Sequence, residues 1–200
     1  MQSTKPTLGY WKIRGLAASA RYLLHYAEVD FEDVMYEVGP APEFSRDSWF
    51  TVKPTLGHDF PNLPYFEDGD FKFTESAAIF KYIAHKWAKE LLGTTSQEYA
   101  TAEMLMDAAG KLKMAVTMPS YTGGTYGDSI TCAQLATDCY PQLAALVDFR
   151  SKHAFKWMAG NNLTWIDFYV WEIVDYMKWL SSDAVFEKFP SLKEYHENFL

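Results

Sequence analysis

Four short stretches place chemically useful side chains where an element begins or ends. In Leu8-Gly9-Tyr10-Trp11 a tyrosine and a tryptophan close an apolar run. A phenol there is either a core or rim residue, or a hydrogen-bond donor to something that needs one. Asn62-Leu63-Pro64-Tyr65 puts a proline at the entry to another apolar run, a place that edges and turns tolerate. A cis Leu63–Pro64 bond would free the backbone of Leu63 to pair with a peptide-like ligand, as an added strand does; the alternative is an ordinary loop proline. Glu75-Ser76 opens a helical run. Ser76 either caps that helix or, with the free N–H groups beside it, holds a carboxylate. Arg46, Trp49 and Lys53 lie in or after a proline-rich loop. Singly each reads as surface or packing; together their cations and indole N–H suit a second carboxylate.

The elements that must position these residues follow from periodicity. Thr7–Trp11 predicts a strand, and Leu16, Ala20, Leu23, Leu24 and Ala27 then recur at helical spacing. Asp33–Tyr36 predicts a second strand, running into the loop Glu37–Trp49 with its Gly and prolines. Tyr65-Phe66 and Phe71-Lys72-Phe73 flank Asp68-Gly69-Asp70, a hairpin signal. Ile79, Phe80, Ile83, Ala84 and Trp87 then mark one face of a helix. The order β-α-β, loop, β-β-α predicts a small α/β domain with a mixed sheet over residues 1–88. The pattern breaks near Gly93, giving a linker at 89–95. Residues 96–200 predict an all-α domain, with helices over Tyr99–Met118, Ile130–Phe149 and Trp165–Leu180 and a flexible corner at Pro119–Ser129. Thr164 and Asp167 form a capping-box pair, and Leu163 and Phe168 a hydrophobic staple.

Composition narrows the function classes. The chain has 200 residues, 48% hydrophobic and 17% aromatic, enough to bury a sizeable core without staples. A formal charge of −8 argues against nucleic acid or an anionic membrane as the main partner. Cys132 and Cys139, seven apart, match no zinc or redox spacing and read as reduced thiols of a cytoplasmic protein. Met1–Pro6 lacks the apolar segment of a signal peptide, and no run is long enough to span a membrane. His25, His58, His85, His153 and His196 are scattered, without metal-ligand spacing or a hydrolase signature, so no metal is expected.

Taken in order, "LGYWKIRGLA", "GPAPEFSRDSW", "LGHDFPNLPYFEDG", "KFTESAAIFKYIA" and "MAGNNLTWIDF" resemble the cytosolic glutathione transferases, mu class, over nearly the whole chain. The resemblance implies a thioredoxin-like N-terminal domain that binds glutathione and a helical C-terminal domain that builds the electrophile pocket. It implies that Tyr10 is catalytic, hydrogen-bonding the glutathione sulfur. Trp11, Arg46, Trp49 and Lys53 would bind the glycine end. Asn62 and the backbone of Leu63, with Pro64 cis, would hold the cysteinyl part, and Glu75 and Ser76 the γ-glutamyl end. The mu class usually has Gln-Ser where Glu75-Ser76 stand. Leu16, Met114 and Tyr121 match pocket positions, although Met114 also fits a core role. Phe60 matches the aromatic key between subunits of a homodimer, or is an ordinary core residue. Glutathione would be the co-substrate, a hydrophobic electrophile the second, with no cofactor. The chain ends at "SLKEYHENFL", short of the family's last helix and tail. The alternatives are a retired family member that binds ligands or serves as structure, and a glutathione-dependent isomerase.

Overall fold

The computed structural model describes residues 5–121 and 129–199, and the chain divides after Lys89 into two compact units. The corner expected at Pro119–Ser129 falls largely outside the described residues.

In the first unit, β1 (Thr7–Trp11) runs parallel to β2 (Glu32–Tyr36) and antiparallel to β3 (Tyr65–Asp68). β3 turns through Gly69, at φ 63°, into β4 (Phe71–Thr74). The sheet order is β2-β1-β3-β4. A βαβ unit thus supplies the parallel pair and a hairpin the antiparallel one, the mixed sheet that the sequence predicts. Between β1 and β2 lies α1 (Ala18–Tyr26); α2 (Asp47–Phe50) and a 3-10 turn (Lys53–Thr55) lie in the long loop. α3 (Ser76–Trp87) packs on α1 and on the hairpin. The predicted face of α3 is the buried one: Ile79, Phe80, Ile83 and Ala84 are fully sequestered.

One close approach governs this sheet. A Cβ built on Gly9 would stand 2.0 Å from the Tyr65 ring, so the ring occupies the space of the missing side chain. Gly inside a strand marks such a backbone approach.

The second unit is helical, as the sequence predicts: α4 (Ser96–Tyr121), α5 (Ser129–Asp138), α6 (Tyr140–Lys152), α7 (Trp165–Ser181), α8 (Ala184–Lys188) and α9 (Pro190–Phe199). The single helical stretch expected over Ile130–Phe149 is divided at Cys139. Pro141 falls in the first turn of α6, where its missing N–H costs nothing, whereas inside a continuous helix it would remove a bond. α8 and α9 lie beyond the last predicted helix. α7 is the hub, packed against α4, α5, α8 and α9 and apolar on most sides. A buried ion pair, Glu172 with Lys113 of α4 at 3.4 Å, keeps either charge from being stranded in the core.

The N-terminus of α7 is tied by a fully buried carboxylate. Asp167 Oδ2 accepts from the Thr164 N–H and hydroxyl, both at 2.9 Å. Its Oδ1 accepts from the Met158 N–H at 2.8 Å and the Tyr195 hydroxyl of α9 at 3.2 Å. Burial pushes this carboxyl up to about 6 against the pull of those donors, which leaves it ionised at neutral pH.

Two outcomes follow from these contacts. Asp167→Ala strands the Thr164 N–H, the Thr164 hydroxyl and the Met158 N–H, while the Tyr195 hydroxyl keeps the backbone carbonyl of residue 167 at 3.1 Å. It should lower unfolding stability by about 3 kcal/mol, read as a shift of the urea midpoint with an unchanged slope; a loss below about 1 kcal/mol would contradict the account. Gly9→Ala should cost about 1–3 kcal/mol by overpacking against Tyr65. The same substitution should cost much less in a Tyr65→Ala background, since the double-mutant cycle removes the clash.

Candidate functional site

The sheet topology brings all four stretches to one end. β1 and β3 pair with Gly9 opposite Tyr65, and continuing that register sets Tyr10 and Trp11 opposite Pro64 and Leu63, where the ladder stops. β1 and β2 pair with Trp11 opposite Tyr36, so the loop carrying Arg46, Trp49 and Lys53 leaves from this end too. β3 and β4 pair with Tyr65 opposite Thr74, so Glu75-Ser76 begins α3 here as well. Carboxyl ends of strands and the start of a helix thus converge on one rim of the sheet.

Tyr10 is 4% exposed, and the N–H of Leu16 donates to its hydroxyl oxygen at 3.1 Å. The bond crosses the loop from β1 to α1, which turns at Gly15 with φ 45°; a Cβ on Gly15 would lie 2.6 Å from the Tyr10 oxygen. Glycine is therefore needed twice at residue 15, for its backbone and for room. An N–H donated to the phenol oxygen polarises the O–H and leaves that proton for another acceptor.

Trp11 and Trp49 are joined by tyrosine rings. Tyr36 meets Trp11 edge-on at 6.5 Å and Trp49 at 5.2 Å, while Trp49 stacks on Tyr65 at 6.1 Å and 19°. The Tyr36 and Tyr65 hydroxyls pair at 3.0 Å in the interior. Burial, then the Tyr36 hydroxyl, push the Tyr65 phenol well above its ordinary value, so it remains protonated. Trp49 is 4% exposed, yet its indole N–H has no acceptor among the described residues. Arg46, just before α2, is exposed and makes no ion pair among those residues, and Lys53 only faces the Phe50 ring at 5.8 Å. Two uncompensated cations and a free indole N–H are what an incoming carboxylate needs.

The Leu63–Pro64 bond is cis, as expected. Among the described residues neither the N–H nor the C=O of Leu63 makes a hydrogen bond, and Asn62 is exposed. Glu75, not Ser76, occupies the N-cap of α3, at φ 76° and ψ 112° and without a side-chain capping bond. A non-glycine residue held in that region costs about 1–3 kcal/mol, and such outliers cluster at ligand clamps. The first bond of α3 runs from the Ile79 N–H to the Glu75 carbonyl, leaving the N–H groups of Ser76, Ala77 and Ala78 open to an anion among the described residues.

The remaining expectations fall elsewhere. Leu16 is half-buried beside Tyr10. Met114, on α4, is 48% exposed and so is not the core residue that its alternative reading required. Tyr121 ends α4, but its side chain lies outside the described residues. Phe60 is 80% exposed, which rules out the core reading for it too. Sequence reasoning missed the supports of the site, Gly9, Tyr36 and Tyr65; the glycine inside a strand was the available signal. Among the described residues no group of three His, Cys, Asp or Glu comes together, and no helix is long and apolar enough to cross a membrane.

Comparison with known proteins agrees with this geometry. The glutathione S-transferase N-terminal domain model matches residues 6–85, and the C-terminal domain model matches residues 132–200. A glutathione S-transferase of Dermatophagoides pteronyssinus is 37% identical over 97% of this chain and 85% of its own. Glutathione S-transferase Mu 2 of Mus musculus is 36% identical over 96% and 85%. The crystal structure of the glutathione S-transferase Blo t 8 superposes with a TM-score of 0.77 at 36% identity, covering 96% of this chain and 86% of that one. The first unit is thus thioredoxin-like, the second is the helical partner domain of the same architecture, and the chain belongs to the glutathione S-transferase family, with mu-class enzymes among its relatives.

Proposed function

We propose that this protein conjugates glutathione to hydrophobic electrophiles, with Tyr10 as the residue that stabilises the thiolate. The observation that carries the reading is the Tyr10 hydroxyl at the converging rim of the sheet, accepting from Leu16 and so keeping its own proton to donate. Trp11, Arg46, Trp49 and Lys53 take the glycine carboxylate. Asn62 and the free backbone of Leu63 take the cysteinyl amide, in the manner of an added strand. The open N–H groups of α3, with Glu75 and Ser76, take the γ-glutamyl end.

The chemistry needs little more. A free thiol has a pKa of about 8.5, so only a small fraction is thiolate at neutral pH. The thiolate is the nucleophile. A hydrogen bond to a charged group contributes about 1.5–3 kcal/mol, and one pKa unit is about 1.4 kcal/mol. The Tyr10 O–H therefore lowers the bound thiol by about 1–2 units, which makes thiolate the major form. With an aryl halide, sulfur bonds to the ring carbon, halide leaves with its electron pair, and Tyr10 keeps its proton throughout. Leu16, beside Tyr10, contributes to the pocket where the electrophile collects. Glutathione serves as co-substrate, and the protein works in the cytoplasm. Phe60, an aromatic side chain left in water, inserts into a second copy of the chain to make a homodimer.

Tyr10→Phe should retain glutathione binding while the bound thiol titrates about 1–2 units higher, read from thiolate absorbance, and aryl-halide conjugation at neutral pH should fall by about 10- to 100-fold. Glutathione binding without any conjugation by the unaltered protein would turn the reading to a ligand-binding relative; no binding would overturn the site. Phe60→Glu should shift the sedimentation profile from dimer to monomer at micromolar protein, with the circular dichroism spectrum unchanged.

A further inference from the structure

His58 lies in the loop between the 3-10 turn and β3, with its side chain only 1% exposed. Its ring is 5.0 Å from that of Tyr65, the same ring that fills the space over Gly9 and stacks on Trp49. Nε2 is 3.2 Å from Glu67 Oε1 but poorly aligned, and neither ring nitrogen makes a well-formed hydrogen bond. The charged groups facing the ring are Glu67 of β3, Lys72 of β4 and the adjacent Asp59. Lys72 already lies 3.3 Å from the same Glu67 oxygen and donates to the Leu56 carbonyl at 3.0 Å.

A neutral imidazole suits these surroundings, with one N–H turned toward Glu67 and the other nitrogen dry. An imidazolium carries two N–H donors. The second finds no acceptor in the buried loop, and the Glu67 charge it would need is shared with Lys72. A proton on His58 therefore drives the ring toward water and withdraws the support beneath Tyr65. Resting on the glutathione reading above, we propose that His58 is a positioning residue: its neutral ring seats Tyr65 and through it the Trp49 indole, so that protonating His58 weakens the hold on the glycine end of glutathione. Burial, the largest influence, holds the imidazole below its ordinary value, against the upward pull of Glu67 and Asp59. The ring is thus neutral at pH 7, and the effect sets in only as pH falls below about 6.5. The carboxylates of glutathione do not titrate there, an α-carboxyl having a pKa of about 3.3–3.7.

The test compares the wild type with His58→Leu and His58→Gln at about pH 7.5 and about pH 5.5, either side of the ordinary imidazole value. Calorimetry reads the glutathione Kd, and the indole N–H resonance of Trp49, assigned through Trp49→Phe, is followed over the same range without ligand. The wild-type Kd should rise about fivefold on acidification, a factor that approaches one in both variants. The Trp49 resonance should titrate in the wild type and stand still in both variants. An equal acid weakening in a folded variant, or a wild-type Trp49 resonance that ignores pH, overturns the role of His58. Because that resonance is read without glutathione, a protein that binds no glutathione would overturn the functional reading separately from the coupling of His58 to Trp49.

Discussion

The Tyr65 ring rests on the backbone of β1 in the space where a side chain at residue 9 would otherwise be. From that placement the hydroxyl reaches Tyr36, the ring face meets Trp49, and His58 packs alongside. Interiors at crystal-like density transmit such placements, because a ring that moves must find another void. The indoles of Trp11 and Trp49 are therefore spaced by the tyrosine rings that stand on the sheet between them. Arg46 and Lys53, on the same loop as Trp49, add positive charge beside this ring cluster.

The helical unit handles buried polarity differently. At the rim of the sheet several donors have no partner among the described residues: the N–H groups at the start of α3, the Trp49 indole and the Leu63 backbone. Around α7 the opposite holds, with the Asp167 carboxylate accepting from Met158, Thr164 and Tyr195 and so joining a loop, a helix start and α9. A satisfied buried network rigidifies, whereas an unsatisfied one waits for a partner. This contrast separates the saturated network around α7 from the open rim of the sheet more sharply than residue type does.

Much of this was legible before any coordinates. The strands, the Asp68-Gly69-Asp70 hairpin, the apolar face of α3 and the Thr164–Asp167 pair could all be read because period and turn chemistry are local properties. The division at Cys139 was missed because helix formers surround it and a proline two residues on is tolerated in a first turn. α8, at 5 residues, is too short to show a period; α9 does carry one, with Leu192, Tyr195 and His196 on its buried side, and it was not read. Among the site residues, Tyr10, Leu63-Pro64 and Glu75-Ser76 were found through their neighbours in the chain. Their convergence on one rim depends on strand order and register, which no single stretch encodes. The exposure of Phe60 and Met114 is likewise a property of the folded chain, since an aromatic or a methionine in a sequence looks the same inside or out.

The partner of the Tyr10 oxygen is a main-chain amide. Every amino acid but proline supplies one, so the side chain at residue 16 can change without removing the donor to the phenol next to it. What sequence can change here and what the fold fixes share one residue, divided between side chain and backbone. A lineage varying residue 16 would keep the hydrogen bond to the Tyr10 oxygen as long as the turn through Gly15 keeps its shape.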